Sequence, residues 1–266
     1  MNPILGTAAL WLAMLGTHIG LASRHPRTAL VARLGEQGYL FLFSIVAGVC
    51  FTALVGFYAA HRFEGPPGLA LGSTPLLRVT LISVVVLGVV LAAASLVDYP
   101  RSPMAIFGRP RVEPYGIARI TRHSFFVGLA LIGGGHVLLA PHLVGAVFAG
   151  GFAVLGLVGS WHQDRKLLRL RGEPYAAYVA ATSTIPFAAI LAGRQRLVVR
   201  ELPFRALALG VVVAALLRAG HGSLFANGGF WLLAVVLGGA GFQMVQGWRR
   251  GRRAARVRAS LAHDTP

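Results

Sequence analysis

An all-α, polytopic membrane bundle of about seven transmembrane helices is the fold class this sequence predicts, on three observations. Several apolar runs of roughly 18–22 residues carry no acidic or basic side chain, long enough to cross a ~30 Å hydrocarbon core. Only 12% of the 266 residues are charged and 56% are hydrophobic, with mean hydropathy +0.69, against about 25% charged in an ordinary soluble domain. The basic residues concentrate in alternate connections between the runs, the pattern that orients membrane proteins.

The spans read as 3–22, 39–60, 77–97, 124–140, 143–161, 203–219 and 230–248. The first lacks a positively charged leader and exceeds a secretory h-region, so it is expected to be a retained helix. All seven are apolar all round and rich in Gly and Ala, which let helices approach closely inside lipid. Between the fifth and sixth spans, residues 164–181 mix basic and apolar positions and are expected at the membrane interface. Residues 183–193 are apolar but too short to cross, which predicts an interfacial or re-entrant piece. The chain divides into a transmembrane unit over 1–200, two further helices over 201–250, and an Arg-rich tail over 251–266.

Arg24, Arg27 and Arg33 follow the first span; Arg101, Arg109, Arg111, Arg119 and Arg122 follow the third. Arg165, Lys166, Arg169, Arg171, Arg194, Arg196 and Arg200 follow the fifth, and the tail follows the seventh. The intervening connections hold only Arg62 with Arg78, then none, then Arg218. Positive charge stays inside, so the N-terminus is expected outside and the C-terminus in the cytoplasm of a bacterial inner membrane. The same placement explains the net charge of +17 without nucleic acid, and the tail suits anionic lipid headgroups.

The single cysteine, Cys50, excludes an intrachain disulfide and a thiolate zinc cluster. There is no Walker loop, GxSxG elbow, HExxH or acidic metal site, which leaves ATP-driven chemistry and serine hydrolysis without support. Histidine is the informative residue type: nine histidines stand beside eight carboxylates.

Two histidines fall inside spans, His18 and His136, and intramembrane polar residues are functional candidates by default. Imidazole ligates haem iron and other metals, and Gly133, Gly134 and Gly135 thin one wall enough for a flat cofactor. The alternative is a hydrogen bond from each ring to a backbone carbonyl or to a hydroxyl such as Thr17 or Ser44. At ~1.5 Å per residue, His18 lies roughly 6 Å and His136 roughly 18 Å from the inner ends of their spans. One iron between them therefore needs a tilt, a kink or a longer helix. Arg119 and Arg122 share a helix face at the inner boundary and suit an anionic group such as a haem propionate, a phosphate or a cofactor carboxylate; the alternative is positive-inside anchoring. Asp164 beside Arg165 and Lys166, and Glu173 near Arg171, read as interfacial ion pairs of modest energy.

Several segments together resemble the NnrU family, and within it the plant and cyanobacterial 15-cis-zeta-carotene isomerase branch. They are His18-Ile-Gly-Leu-Ala-Ser-Arg24, His61-Arg62-Phe63-Glu64-Gly65, Gly116-Ile-Ala-Arg-Ile-Thr-Arg-His123, Trp161 with Asp164-Arg165-Lys166, and Thr182 through Gln195. The resemblance covers about residues 5–200, and the run Ile185 to Gln195 is its most specific part. It implies a membrane protein holding haem b iron between two histidines, by position His18 and His136, with Arg119, Arg122 and His123 near the cofactor's anionic groups. It further implies a hydrophobic polyene or lipid substrate, isomerised about a central cis double bond once one histidine leaves the iron. The chain departs from the branch where a cysteine three residues before the second histidine is Gly133 here, so ligand exchange through that cysteine cannot operate. The family's His-Pro is His123-Ser124. The family name also implies an alternative role as a denitrification-associated accessory or redox sensor. A more distant resemblance, through Arg122-His123 and Gly172, Tyr175 and Tyr178, is to the S-adenosylmethionine-dependent lipid methyltransferases.

Overall fold

The computed structural model describes residues 2–99, 102, 103, 113–242, 245 and 249. Arg101, Arg109, Arg111, most of 243–248 and the tail 251–266 lie outside the described residues. Helix α1, Pro3–Ala22, starts where Asn2 Oδ1 accepts the amides of Ile4 (2.9 Å) and Leu5 (3.3 Å) and Pro3 occupies the first turn. Helix α2, Arg24–His61, absorbs the predicted span 39–60 and continues back to residue 24 across a kink at Gly35, whose φ of 70° disfavours a side chain. Arg27 and Glu36 pair at 2.6 Å across that kink. Helix α3, Pro75–Asp98, follows the predicted third span.

A four-residue helix, α4 (Ile117–Ile120), leads into α5 (Ser124–Leu139), which a three-residue turn joins to α6 (Leu143–Arg171). Then come α7 (Glu173–Ala181), α8 (Ala188–Leu191) and α9 (Phe204–Ala219), and an apolar helical segment spans Ala226–Phe242. Four helices, α1, α2, α3 and α6, are long and apolar enough to cross a membrane. The spans expected over 124–140 and 203–219 are 16-residue helices, about 24 Å long at ~1.5 Å per residue, shorter than a ~30 Å core. Residues 164–171 continue α6 as one helix, and Asp164 finds its partners at that level, as described below.

Helix α5 packs on both α6 and α3, α3 on α9, and α1 on α2 and α6. Glycine makes these contacts close. A Cβ at Gly133 would stand 2.5 Å from the Ala153 amide nitrogen and 2.6 Å from the Ala149 carbonyl oxygen, so α5 meets α6 backbone to backbone there. Gly151 accommodates the Trp11 indole, whose Nε1–H donates to the Phe148 carbonyl at 3.0 Å. Trp11, Met14, Phe51, Leu54, Val55 and Phe148 form the main buried cluster. The outward faces are apolar, with Leu12, Phe41, Val49 and Val79 each more than 60% exposed, as suits lipid rather than water.

Candidate functional site

Three segments far apart in sequence close into a knot at the basic end of the bundle. Gly116, at φ 57°, turns the chain into α4 at a point where a Cβ would stand 2.9 Å from the Glu201 carbonyl oxygen. Past α4, Thr121 Oγ1 donates to the Thr184 carbonyl at 2.7 Å, and the Arg122 amide donates to the Ser183 carbonyl at 3.0 Å. The segment 182–195 thus packs on 116–123.

Asp164, on the extension of α6, is the centre of the knot. Its carboxylate accepts from Arg122 Nη2 at 2.7 Å and Nε at 3.1 Å, from His123 Nε2 at 2.7 Å and from Tyr175 Oη at 2.8 Å. His123 is only 1% exposed. A carboxylate this enclosed tolerates burial because cations and donors surround it, and the knot is costly to open for the same reason. Burial, and then the Asp164 carboxylate, push the Tyr175 hydroxyl well above the ordinary tyrosine range, and burial raises Tyr178 as well. The expected pairing of Asp164 with its neighbours Arg165 and Lys166 does not form: side chains one and two residues away on a helix point elsewhere. Arg165 instead lies over the Trp161 ring at 4.3 Å.

Arg119 is equally committed. Its Nε and Nη2 donate to the two Glu201 oxygens at 2.8 and 3.1 Å, and its Nη1 donates to Gln195 Oε1 at 2.9 Å. Sequence reading missed Glu201, Gln195, Asp164 and Tyr175 as partners. The resemblances carried a signal for Gln195, Asp164 and Tyr175, and nothing in the sequence pointed to Glu201.

The intramembrane histidines fall into two pairs. The His18 ring lies against Phe43, centroids 4.7 Å apart and tilted by 53°, and its Nδ1 is buried without a partner. Its electrostatic neighbour is His162 of α6, whose Nε2 is likewise buried and unpartnered. His136 Nδ1 donates to the Ile132 carbonyl at 2.8 Å, which fixes the ring and leaves Nε2 as its free ligand atom. The His136 ring lies parallel, within 5°, to that of His221, with centroids 6.0 Å apart.

Helix α6 serves as a ruler between the pairs, since Trp11 and Gly133 both meet it near residues 148–153. From that level His18 lies about 10 Å toward the basic end and His136 about 4–5 Å away from it, at ~1.5 Å per residue. His18 and His136 thus stand at different levels, roughly 15 Å apart in backbone rise along the axis.

A cavity of about 470 Å³ opens beside the knot, walled by residues that include His123, Phe125, Phe126, Lys166, Arg171 and Tyr178. Among the described residues no group of three or more His, Cys, Asp or Glu side chains is placed to hold a metal ion.

A family model described as NnrU protein matches residues 4–227. The chloroplastic 15-cis-zeta-carotene isomerase of Arabidopsis thaliana is 28% identical over 200 residues, 73% of this chain and 52% of the relative. Its Zea mays counterpart is 29% identical over 192 residues, 68% of this chain and 49% of the relative. The chain therefore spans about half the length of the curated relatives it matches. No solved structure matches it.

Proposed function

Because the chain belongs to the NnrU family, whose model spans residues 4–227, we propose that it is a membrane-embedded isomerase of a carotenoid-like polyene, with haem b as cofactor. The observation that carries this reading is the likeness to two proteins named 15-cis-zeta-carotene isomerase over about 200 residues. The physical setting supports it. A polyene hydrocarbon has no polar group to anchor, so it suits apolar helix faces such as those carrying Leu12, Phe41 and Val79. Its setting is the bacterial cell membrane with the basic end in the cytoplasm, as the arginine distribution directs.

His136, whose Nδ1 is tied down and whose Nε2 is free, would hold the haem iron, with His18 as the second candidate ligand. His221 stands opposite His136, and His162 is near enough to His18 to act on it electrostatically. When bound, reduced haem supplies electron density that lowers the order of a polyene double bond. The chain's own part is to hold the imidazole in one tautomer and to keep water from the apolar site. Arg119, Arg122 and His123 remain candidate partners for an anionic group at the basic end.

Lipid methyl transfer requires a pocket near His123, and the cavity stands there. Its walls carry Arg122, Lys166 and Arg171, which repel a sulfonium cation and disfavour that reading.

The test is an absorption spectrum of detergent-purified protein, oxidised and dithionite-reduced, beside His18→Ala, His136→Ala and His221→Ala. Incubation with 15-cis-zeta-carotene in liposomes and separation of the isomers accompanies it. A Soret band with split visible bands on reduction, lost in His136→Ala, together with conversion of the cis isomer supports the reading. A colourless protein from haem-replete cells that leaves the polyene unchanged overturns it.

A further inference from the structure

The cavity at the basic end has more binding capacity than the knot uses. Helix α5 begins on its wall: Ser124, Phe125 and Phe126, whose amides have no partner in the preceding turn, line it, and no side chain caps the helix. A helix start of 16 residues directs partial positive charge into the space. Two buried polar atoms on the same wall are independently unpartnered, His123 Nδ1 and Tyr178 Oη, in residues 1% and 3% exposed. Buried groups of this kind almost always find a partner, and leaving one bare is unfavourable. Lys166 and Arg171 complete the wall with Arg27 and make no ion pair among the described residues; Glu113 lies on the same wall, and Glu36 acts electrostatically on Lys166.

We propose that this cavity binds the phosphate head of an amphiphile. Amides of the α5 start, the Tyr178 hydroxyl, and the Lys166 and Arg171 cations are all donors, which is the chemistry of a multivalent oxyanion. His123, with Nε2 held by Asp164, has Nδ1 as its remaining hydrogen-bonding atom, an acceptor for the hydroxyl of a monohydrogen phosphate. Phe125, Phe126, Leu167 and Leu170 make the remaining wall apolar, a place for a tail and not for a fully hydrated ion. A polyene hydrocarbon offers nothing to these donors, so the site is separate from the proposed isomerase chemistry and stands or falls without it.

The test uses the full chain in detergent, with thermal unfolding and native mass spectrometry as readouts and phosphatidic acid, phosphatidylcholine and inorganic phosphate as probes. Phosphatidic acid is expected to bind and raise the unfolding midpoint, while phosphatidylcholine does neither. Tyr178→Phe and Lys166→Gln are each expected to weaken phosphatidic acid about tenfold, the worth of one charge-assisted hydrogen bond, and Arg218→Gln at the far end is not. Inorganic phosphate binding as tightly as phosphatidic acid assigns the site to a free phosphate compound; phosphatidic acid binding far tighter assigns it to a lipid headgroup. Equal binding of both lipids overturns the proposal, as does wild-type affinity in both Tyr178→Phe and Lys166→Gln. The unliganded midpoint of each variant reports whether it is folded, and Tyr178→Phe, which removes one oxygen, keeps the test sound if Lys166→Gln unfolds.

Discussion

Replacing Gly133 by Ala tests the central packing claim. A Cβ there would stand 2.5 Å from the Ala153 nitrogen and 2.6 Å from the Ala149 oxygen, about 0.9 Å inside the 3.4 Å at which ordinary contact begins. Both obstacles are backbone atoms of α6, so no side chain can swing aside and the two helices must part. Overpacking of this kind costs about 1–3 kcal/mol, and rigid obstacles place it at the upper end. Gly134, one residue on, is the internal control, because a Cβ there would meet nothing within 4 Å. Ala at that position gains up to about 1 kcal/mol of helix propensity. Gly133→Ala and Gly134→Ala are therefore expected to differ by about 3 kcal/mol. That gap corresponds to roughly 6–12 °C in unfolding midpoint for a chain of this size, read by intrinsic fluorescence or circular dichroism in mild detergent. Gly133→Cys, which restores the residue of the isomerase branch, is expected to destabilise at least as much. Equal midpoints for Gly133→Ala and Gly134→Ala would refute the backbone contact between α5 and α6.

Asp164→Asn leaves Arg122 without its counter-charge and is expected to cost about 3–5 kcal/mol, measured as a lowered unfolding midpoint beside the mild effect of Glu36→Gln. Arg119→Lys keeps the charge but loses the forked contact to Glu201 and the bond to Gln195; its midpoint should fall below that of exposed Arg218→Lys. Tyr175 and Tyr178 hold their protons above the ordinary tyrosine range. The folded state therefore binds protons that the unfolded chain releases above about pH 10, and stability is full below that pH and declines as pH rises through it. Denaturation midpoints at pH 9 and pH 11 check the sign, and a decline of the same size in Tyr175→Phe would contradict it.

The apolar runs make much of the fold legible. Runs 3–22 and 77–97 are α1 and α3 almost residue for residue, because lipid leaves a helix as the available way to satisfy their backbone groups. The kink is not legible, since a glycine such as Gly35 inside a mixed segment carries no mark of the 70° φ that tertiary packing imposes on it. The extension of α6 past residue 161 is hidden for a related reason. Residues 164–171 look amphipathic and interfacial by composition, while the contact that holds Asp164 in place comes from Arg122, 42 residues earlier. Site residues are recognisable by type and not by arrangement. His18 and His136 stand out as polar groups in apolar runs, but their companions His162 and His221 lie at or beyond span ends, where a histidine is unremarkable. Gly133 is visible in the sequence as a departure from a pattern; only the proximity of α6 gives that departure a physical cause.

The position of the Asp164 knot also bears on how the chain enters a bilayer. From Ser124 to Gln163 there is no Asp, Glu, Lys or Arg, and this stretch is α5, a tight turn and most of α6. Arg122 and Asp164 sit just outside its two ends, which meet when the pair folds back on itself. The forty-residue loop can thus cross first as one unit, turn leading, with no ionised side chain dragged through hydrocarbon at a cost of about 2.5–3.5 kcal/mol each. In the folded protein the cation and carboxylate join the two ends of this uncharged stretch on one side of the bundle, so that undoing the hairpin would separate two charges now enclosed together.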